Sequence, residues 1–499
     1  MKKLISIVLL GAITVVIPSC DKDFMELSPH DAIDKELAFV STQSAMGALN
    51  GIHRLMYEKF NDDQPSGGHG IIMHMMDLLG EDMPLHARPN TLGGFYQWTS
   101  PGIETGAETA LVWQFYYRII ANTNLIIGNI DAAEGTQAER DMIKGQALVY
   151  RAWAHFMLVQ VYGKRYDPKG TNDNLGVPIM TFESPESKAR NTVAKVYTQI
   201  NIDLDTAIVR LAGYKRLNKS HLDQSVARGI KARVLLTQGQ WEDAAKMADL
   251  AATGYPFMPA ADHTKGYNDY ANVEWMWSSK IQMDQNITFS GFFGYMGCNH
   301  NGRATKEYPR MINSTLYNQI AATDVRKGKL WIPDGATNPS VVTPTGSTDV
   351  RLNYMQQKFK AEDNSTAGTG CVPYMRVAEM YLIAAEGYAR AGMNNTARSR
   401  LHSLMVTRNN PSYPTSLNSG DLLVQEILTA RRIELWGEGF RWLDLKRLDL
   451  PLDRSSSSAA NTVASAAMTT SVPAGDDRWQ WKIPKNIELN ANDLIVQNP

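Results

Sequence analysis

The sequence of 499 residues contains only three cysteines, too few to cross-link a chain of this length. Its stability must therefore come from packing rather than from disulfide bonds. An excess of charge is also missing, since 50 lysine and arginine residues balance 51 aspartate and glutamate residues. This balance argues against a basic nucleic-acid-binding protein and against a polyacidic disordered chain. With 43% hydrophobic and 20% charged residues, the composition is that of a globular protein.

The sequence also lacks an apolar run long enough to span a membrane. Its longest run, 4–17, holds 14 mostly apolar residues, whereas a transmembrane helix needs about 20. The run follows Lys2 and Lys3 and ends before Pro18-Ser19-Cys20, an arrangement typical of an export signal. We therefore predict a signal peptide over 1–19, with an ordinary cleaved signal or a frayed anchor helix as the alternative to a lipoprotein signal.

Cys20 is the feature that favours a lipoprotein. Residues 17–20, Ile-Pro-Ser-Cys, resemble the bacterial lipobox, from which Pro18 departs. The resemblance implies a thioether-linked diacylglycerol on Cys20 and an amide-linked fatty acid such as palmitate, and two or three acyl chains hold a protein on a membrane far longer than one. The following Asp21-Lys22-Asp23 resembles the export tag that directs Bacteroidetes lipoproteins to the outer face of the outer membrane. We predict a lipidated tether over 20–45.

Apolar residues recur at helical spacing through much of the chain, which predicts a mainly α protein. The predicted helices cover 109–130, 139–162, 193–211, 225–238, 241–252, 374–391, 394–407 and 422–448. Small residues recur in steps of seven and five in two of these regions, at Ala232, Gly239, Ala244, Ala251 and Pro256, and again at Ala385, Gly392 and Ala397 with Pro411 nearby. This spacing resembles the tetratricopeptide unit, in which helix pairs stack and bury a shared core. Chance spacing in an alanine-rich helical protein is the alternative.

Stretches of different composition interrupt the predicted helices. The first is rich in glycine and proline, the second in aromatic residues, and the others in proline, glycine, serine, threonine and asparagine. Loops of this length in a compact protein commonly carry function. We predict one domain over 46–499, a helical scaffold with insertions near 61–105, 254–310, 333–370 and 450–475.

Four segments resemble motifs of the SusD/RagB family of outer-membrane nutrient-binding lipoproteins of Bacteroidetes. Residues 145–156 match its "GEA.flRAw.yf" helix, and 373–386 match "lRlaEvyLiyAEa". Residues 431–447 match the signature "R..El..EG.RwfDLkR" almost residue for residue, and 481–499 resemble the closing "PIP..Ei..Np.l.QNP". The resemblance covers nearly all of the chain after the signal and is weakest in the aromatic insertion, where ligand choice would be decided.

The resemblance implies a SusD-like fold, with four tetratricopeptide-like helix pairs as a scaffold and loops that form a binding face. It also implies a partner, a SusC-like TonB-dependent transporter on which the lipoprotein sits as a lid. Most characterised relatives bind glycans, the RagB branch handles peptides, and none is an enzyme. The implied location is the outer membrane, facing the cell exterior.

The signature alternates arginine and glutamate three or four residues apart, a spacing that brings opposite charges together on one helical face. An arginine within one turn holds a glutamate ionised and unsuited to donating a proton, which disfavours a glycoside hydrolase. We therefore predict structural ion pairing for the motif residues Arg376, Glu379, Glu386, Arg431, Glu434, Glu438, Arg441 and Asp444. Asp324, Arg326 and Lys358 match further family positions, and a structural role is predicted for them too.

Sugar recognition needs flat apolar faces for the C–H side of a pyranose and polar groups for its hydroxyls. The candidate rings are Tyr96, Trp98, Trp275, Trp277, Phe292 and Tyr295, and the candidate polar groups are Asn299, Asn301 and Arg303, with Asp77 and Asp82 ranked below them. In a strand, Trp275 and Trp277 would lie on one side. Packing of the rings in a local core under the loops is the alternative.

The histidines and cysteines show no metal-binding pattern, because no HExxH or CxxC motif occurs. We predict no metal, no cofactor and no nucleic-acid partner. The leading hypothesis is a non-catalytic surface receptor that captures oligosaccharides or polysaccharide and hands them to an outer-membrane transporter. A peptide-binding receptor and a structural helical-repeat lipoprotein without a nutrient ligand are the alternatives.

Overall fold

The computed structural model describes residues 35–60, 66–85, 92–184, 186–285, 288–338, 350–409, 413–455 and 469–499. The predicted signal peptide over 1–19, Cys20 and Pro411 lie outside these ranges, as do parts of each predicted insertion. None of the helices in the described ranges is both long enough and apolar enough to cross a bilayer.

Helices form most of the described chain, which confirms the predicted mainly α class. They are α1 (Lys35–Ala38), α2 (Thr42–Leu55), α3 (Gly68–Leu78), α4 (Gly93–Tyr96), α5 (Ala107–Asn129), α6 (Gln137–Tyr162), α7 (Val193–Arg210), α8 (Gln224–Thr237), α9 (Trp241–Ala252), α10 (Phe292–Met296), α11 (Arg303–Lys306), α12 (Ser314–Asn318), α13 (Val377–Arg390), α14 (Asn394–Arg408), α15 (Gly420–Glu434) and α16 (Arg441–Arg447). The strands are short: β1 (Trp275–Ile281), β2 (Trp331–Ile332), β3 (Met355–Gln356), β4 (Gly370–Arg376), β5 (Leu452–Asp453) and β6 (Ser471–Val472).

The boundaries of several predicted elements need correction. The tether predicted over 20–45 is too long, because Ser41 caps α2 by accepting the backbone N–H of Ser44 at 3.2 Å, and Thr42 N–H donates to Glu134 at 2.7 Å. The helix predicted over 422–448 is two helices. Between these two helices, Gly437 and Gly439 both have positive φ, so α15 ends before them and α16 begins after them.

The long helices pack as a layered scaffold. Helix α6 lies against α5 and α7, α8 lies against α9, and α13 lies against both α9 and α14. The pairs α8–α9 and α13–α14 are the two regions with the repeated small residues, and they stack although about 120 residues separate them. Gly387 allows this contact, because a Cβ there would lie 2.4 Å from the carbonyl oxygen of Trp241. The tetratricopeptide-like scaffold is thereby confirmed.

The aromatic insertion is joined to the scaffold by a two-stranded antiparallel sheet. Strand β1 comes from that insertion, and its partner β4 runs directly into α13. Ser278 pairs with Pro373, and Ile281 pairs with Gly370. The helix predicted over 374–391 therefore begins only at Val377, since the preceding residues belong to the strand.

Both turn glycines of the repeated pairs have a left-handed backbone, with φ of 72° at Gly239 and 80° at Gly392. Glycine is the residue that adopts this conformation without steric cost, and it commonly ends a helix in this way. The two sites differ in their surroundings. A Cβ at Gly239 would lie 2.6 Å from the Cβ of Pro168, whereas nothing lies within 4 Å of a Cβ at Gly392.

We expect Gly392→Ala to lower the free energy of unfolding by about 1 kcal/mol, the cost of a left-handed alanine. Gly239→Ala should cost at least about 1 kcal/mol more, because the rigid ring of Pro168 must also shift. Urea denaturation of the two variants beside the unsubstituted protein measures both values. Equal losses at the two positions would contradict the close approach of Pro168.

Candidate functional site

The tryptophans predicted to form an exposed pair on β1 are buried. Trp275 has no exposed surface and Trp277 is 1% exposed. The ring of Trp277 meets those of Trp153 at 5.2 Å and Tyr374 at 5.1 Å, both edge to face. Core packing occupies the rings, so the prediction that Trp275 and Trp277 offer their faces to a ligand is wrong.

Tyr96 and Trp98 are covered as well. The Arg454 guanidinium lies 4.0 Å from the ring centroid of Tyr96. Trp98 donates its indole N–H to the carbonyl of Leu79 at 3.0 Å and packs edge to face against Trp479. Both rings therefore pack in the core beneath the first insertion. The prediction that Tyr96 and Trp98 offer exposed faces to a ligand is corrected accordingly.

The predicted residues of the second insertion divide into a buried and an exposed set. Phe292 lies against Gly70 of α3, where an added Cβ would be 2.9 Å from the Cβ of Phe292. Tyr295 is 5% exposed, with its ring centroid 5.9 Å from that of His74. These rings fix α10 on α3, so the expectation that Phe292 and Tyr295 face a ligand is corrected.

Asn299 is buried and holds a neighbouring loop. Its Nδ2 donates to the carbonyls of Ala361 and Asp363, each at 3.0 Å, and its Oδ1 accepts the N–H of Ala361 at 2.7 Å. With both ends of the amide engaged, Asn299 acts as a structural latch. The prediction that it contacts a ligand is wrong in this structure.

Asp77 and Asp82 anchor the signature loop to the end of α3. Asp77 accepts the N–H of Gly439 at 2.8 Å, and Asp82 receives the Arg432 guanidinium at 3.0 and 3.1 Å. Both carboxyls are buried. Burial raises the pKa of Asp77 to about 8, although the N–H of Gly439 partly opposes the shift. Their predicted role as ligand contacts is therefore replaced by a structural one.

Within the described residues of 289–303, three side chains are exposed, and we call them the insertion face: Phe289, Asn301 and Arg303. Phe289 is 40% exposed, and its Cδ1 would be 3.3 Å from a Cβ at Gly302, so the ring lies beside the backbone that joins the other two. Arg303 donates from Nε to Glu307 at 2.8 Å. The face combines an apolar ring with an amide and a guanidinium. Phe289 was missed among the many aromatic residues because its sequence neighbourhood gives no sign of exposure.

A buried network of charges, which we call the ionic core, joins the aromatic insertion to the helical scaffold through Glu274. Arg376 donates to Glu434 at 2.8 Å and to Glu438 at 2.9 and 2.6 Å. Arg408 donates to Glu274 at 2.9 Å and to Glu434 at 2.9 Å. Arg326 and Lys358 complete the network, bonding Glu434 and Glu438, respectively.

The cations of the ionic core keep the carboxylate of Glu434 charged. Burial by itself would raise the pKa of Glu434, but the guanidiniums of Arg408, Arg326 and Arg376 outweigh it and hold that pKa well below the ordinary value. A permanently ionised carboxylate cannot act as a general acid. The arrangement therefore supports ion pairing rather than acid catalysis for this residue.

The remaining motif residues form a second set of buried ion pairs. Glu386 receives Arg447 at 2.8 and 2.7 Å, and Arg447 also donates to Asp444 at 2.8 Å. Arg431 donates to the other oxygen of Asp444 at 2.7 Å. The predicted motif residues Glu379 and Arg441 pair with Arg233 and Glu81. Each of these motif residues is therefore held in an ion pair, as a structural role requires.

In the part of the chain that the structure describes, no three histidine, cysteine, aspartate or glutamate side chains are grouped as a metal site requires. Cys298 and Cys371 are both buried. Burial raises the pKa of each thiol to about 12, which keeps it in its neutral, unreactive form at neutral pH.

The comparisons with known proteins agree with the signature motifs. The model of the SusD family matches residues 230–499, and a second family model, described as starch-binding associating with outer membrane, matches residues 93–236. The chain belongs to the SusD family.

Individual relatives extend over most of the SusD-family chain. SusD-like protein P2 of Formosa agariphila is 23% identical over 474 residues, covering 85% of this chain and 87% of its own length. A SusD-like carbohydrate binding protein from Bacteroides vulgatus is 25% identical, with a TM-score of 0.76 over 92% of this chain and 98% of its own. A SusD superfamily protein from Bacteroides thetaiotaomicron is 23% identical with a TM-score of 0.75, covering 92% and 100%. The predicted SusD-like fold is confirmed.

We expect Glu434→Ala to lower the free energy of unfolding by about 3–5 kcal/mol, because it leaves Arg326, Arg376 and Arg408 buried without their shared carboxylate. Glu58→Ala, which removes an exposed ion pair with Arg54, should cost less than about 1 kcal/mol. Chemical denaturation at neutral pH measures both. A loss of similar size in the two variants would disprove the structural importance of the ionic core.

The raised pKa of Asp77 predicts a pH dependence of stability. Between its ordinary value of 3.8 and about 8, Asp77 is protonated in the folded chain and ionised in the unfolded chain, so its contribution to stability falls as pH rises. Asp77→Asn removes this titration, and the stability of the variant relative to the unsubstituted protein should therefore increase from pH 4 to pH 8. Asp493→Asn, at an exposed position, serves as the control. A pH-independent difference would rule out the buried proton.

Proposed function

We propose that this SusD-family chain is a cell-surface receptor that binds oligosaccharides or polysaccharide without modifying them and hands them to a SusC-like TonB-dependent transporter. The observation that carries the proposal is the match over 92% of the chain to a solved SusD-like carbohydrate binding protein. The description of the second family model, starch-binding associating with outer membrane, supports the same ligand class and location.

The insertion face has the chemistry that such a ligand needs. The exposed ring of Phe289 offers an apolar surface to the C–H side of a sugar, and Asn301 and Arg303 offer hydrogen bonds to hydroxyls. Asn299 holds the supporting loop from beneath, so little order has to be created when a ligand binds. An affinity between micromolar and millimolar, about −8 to −4 kcal/mol, suits a receptor that must release its cargo.

A lipid on Cys20 would place this domain at the membrane surface. Cys20 precedes Lys35, the first described residue, by 15 residues, which reach at most about 50 Å when extended. A tether of that reach keeps the domain beside a membrane-embedded partner while it opens and closes over it. The proposed transporter partnership and the proposed acylation therefore fit one another.

The absence of catalysis is part of the proposal. It is supported by the arginine partners of Glu434, Glu438 and Asp444, whose pKa values lie below their ordinary ranges because the attraction of buried cations outweighs the opposing effect of burial. Retaining glycosidases need a neighbouring carboxyl that can donate a proton. A peptide-binding receptor uses the same kind of aromatic surface, and the binding experiment below separates the two.

Calorimetric titration of the polypeptide from Asp21 to Pro499 with a panel of neutral glycans and with mixed peptides tests the proposal. We expect glycan binding, weakened about threefold to tenfold by Phe289→Ala through loss of the ring surface. Asn301→Ala and Arg303→Ala should weaken it about twofold to tenfold through lost hydrogen bonds. Leu417→Ala, at a position 92% exposed and outside the insertion face, is the matched control.

If the polypeptide binds peptides but none of the glycans, the protein is a peptide receptor rather than a sugar receptor. Release of shortened sugars during the titration would instead reveal an enzyme.

A further inference from the structure

A groove of about 800 Å³ runs along α5, and we call it the α5 groove. Trp113 and Tyr117 line its base, and its two walls come from 178–184 with 186–188 and from 487–492. No residue of the insertion face contributes to it. The scaffold and the C-terminal segment form this groove, so it is separate from the surface on which the proposed function depends.

One wall is held rigidly from behind. Asn124 donates from Nδ2 to the carbonyls of Met180 at 3.2 Å and Phe182 at 3.3 Å. Arg151 donates to the carbonyl of Thr181 at 2.8 Å, and the ring of His155 accepts the N–H of Met180 at 3.3 Å. These supporting side chains are buried, so the wall is in place before any ligand arrives.

The opposite wall presents an oriented carboxylate. One oxygen of Glu488 accepts the indole N–H of Trp113 at 3.2 Å, and the other accepts Nδ2 of Asn492 at 2.8 Å. Both donors are neutral and Glu488 is half-buried. Each oxygen has two lone pairs, so the carboxylate keeps acceptor capacity for a hydroxyl in the groove.

Aromatic rings at the rim and at the base of the groove remain accessible. Phe182 is 57% exposed, and the ammonium of Lys188 lies 3.9 Å from its ring centroid, which covers one face. Tyr117 is half-buried and its hydroxyl donates to the carbonyl of Pro178 at 2.9 Å, which fixes the ring. The groove therefore offers aromatic surface at two heights, beside the carboxylate of Glu488.

The charges around the groove are mixed in sign. Arg118 and Lys188 are basic, and Glu183, Glu186 and Glu488 are acidic. A strongly anionic or strongly cationic polymer would meet repulsion from one of these sets. A neutral ligand with apolar faces and many hydroxyls meets none, and its hydroxyls can bond groups of either sign.

We propose that the α5 groove is a second carbohydrate-binding site, which takes a neutral oligosaccharide. The inference rests on the proposed function, since it assigns the same ligand class to a different surface. Two weak sites on one chain hold a long polymer far more durably than either does alone, because the second contact forms at a high effective concentration. The groove would thus keep one part of a polymer bound while another part leaves the insertion face and the next one binds there.

Titration of the polypeptide from Asp21 to Pro499 with neutral β-glucan oligosaccharides, beside the variants Phe182→Ala and Glu488→Gln, tests the inference. Phe182→Ala removes an exposed ring, and Glu488→Gln keeps an acceptor for the indole of Trp113. We expect each to weaken one of two binding events about threefold to tenfold and to leave the other unchanged. Leu417→Ala is again the control, and thermal unfolding verifies that the variants fold.

The outcomes separate the two proposals. One binding event that Phe289→Ala weakens and the groove variants leave unchanged would overturn the second site and preserve the proposed function. Binding weakened only by the groove variants would support the groove and overturn the insertion face. If the polypeptide binds peptides and its titration with oligosaccharides gives no binding signal, the carbohydrate assignment is overturned at both surfaces.

Discussion

The ionic core is the interaction on which the rest of the structure depends. It joins Glu274 of the aromatic insertion, Arg376 at the end of β4, Arg408 of α14 and Glu434 of α15, positions separated by up to 160 residues. Charges buried this deeply are tolerated only when each has its partners in place, because a lone buried ion costs several kcal/mol. The network therefore forms completely or not at all, which couples the insertion to the helical scaffold in one cooperative unit.

This coupling explains how a helical-repeat scaffold can hold the proposed binding surface in a defined position. Strand β1 begins one residue after Glu274, and the chain that follows it leads to α10 and the insertion face. The packing of Phe292 on Gly70 and the hydrogen bonds of Asn299 then fix the position of the insertion face relative to the scaffold. The side chains of the insertion face are therefore held in place by buried contacts that lie beneath the proposed binding surface.

The scaffold could be predicted from the sequence because helical periodicity and the spacing of Gly239 and Gly392 report on local packing. The charges of the signature residues predict ion pairing, but local spacing does not predict the partners. Glu434 pairs with Arg326, Arg376 and Arg408 rather than with an arginine one turn away. The binding surface could not be predicted this way. Whether Trp277 or Phe289 is exposed depends on which distant side chains cover it, here Trp153 and Tyr374 for Trp277, and no local pattern records that. The α5 groove was missed for a related reason, because its walls come from segments about 300 residues apart in the chain.

The position of Phe289 beside Gly302 has a consequence for the evolution of this family. The ring and its two polar neighbours project from short segments whose anchors, Phe292 and Asn299, point the other way, into the interior. Substitutions at the three outward positions therefore remove few interior contacts and burden folding little. The proposed ligand preference can therefore change one residue at a time while the interior contacts stay the same.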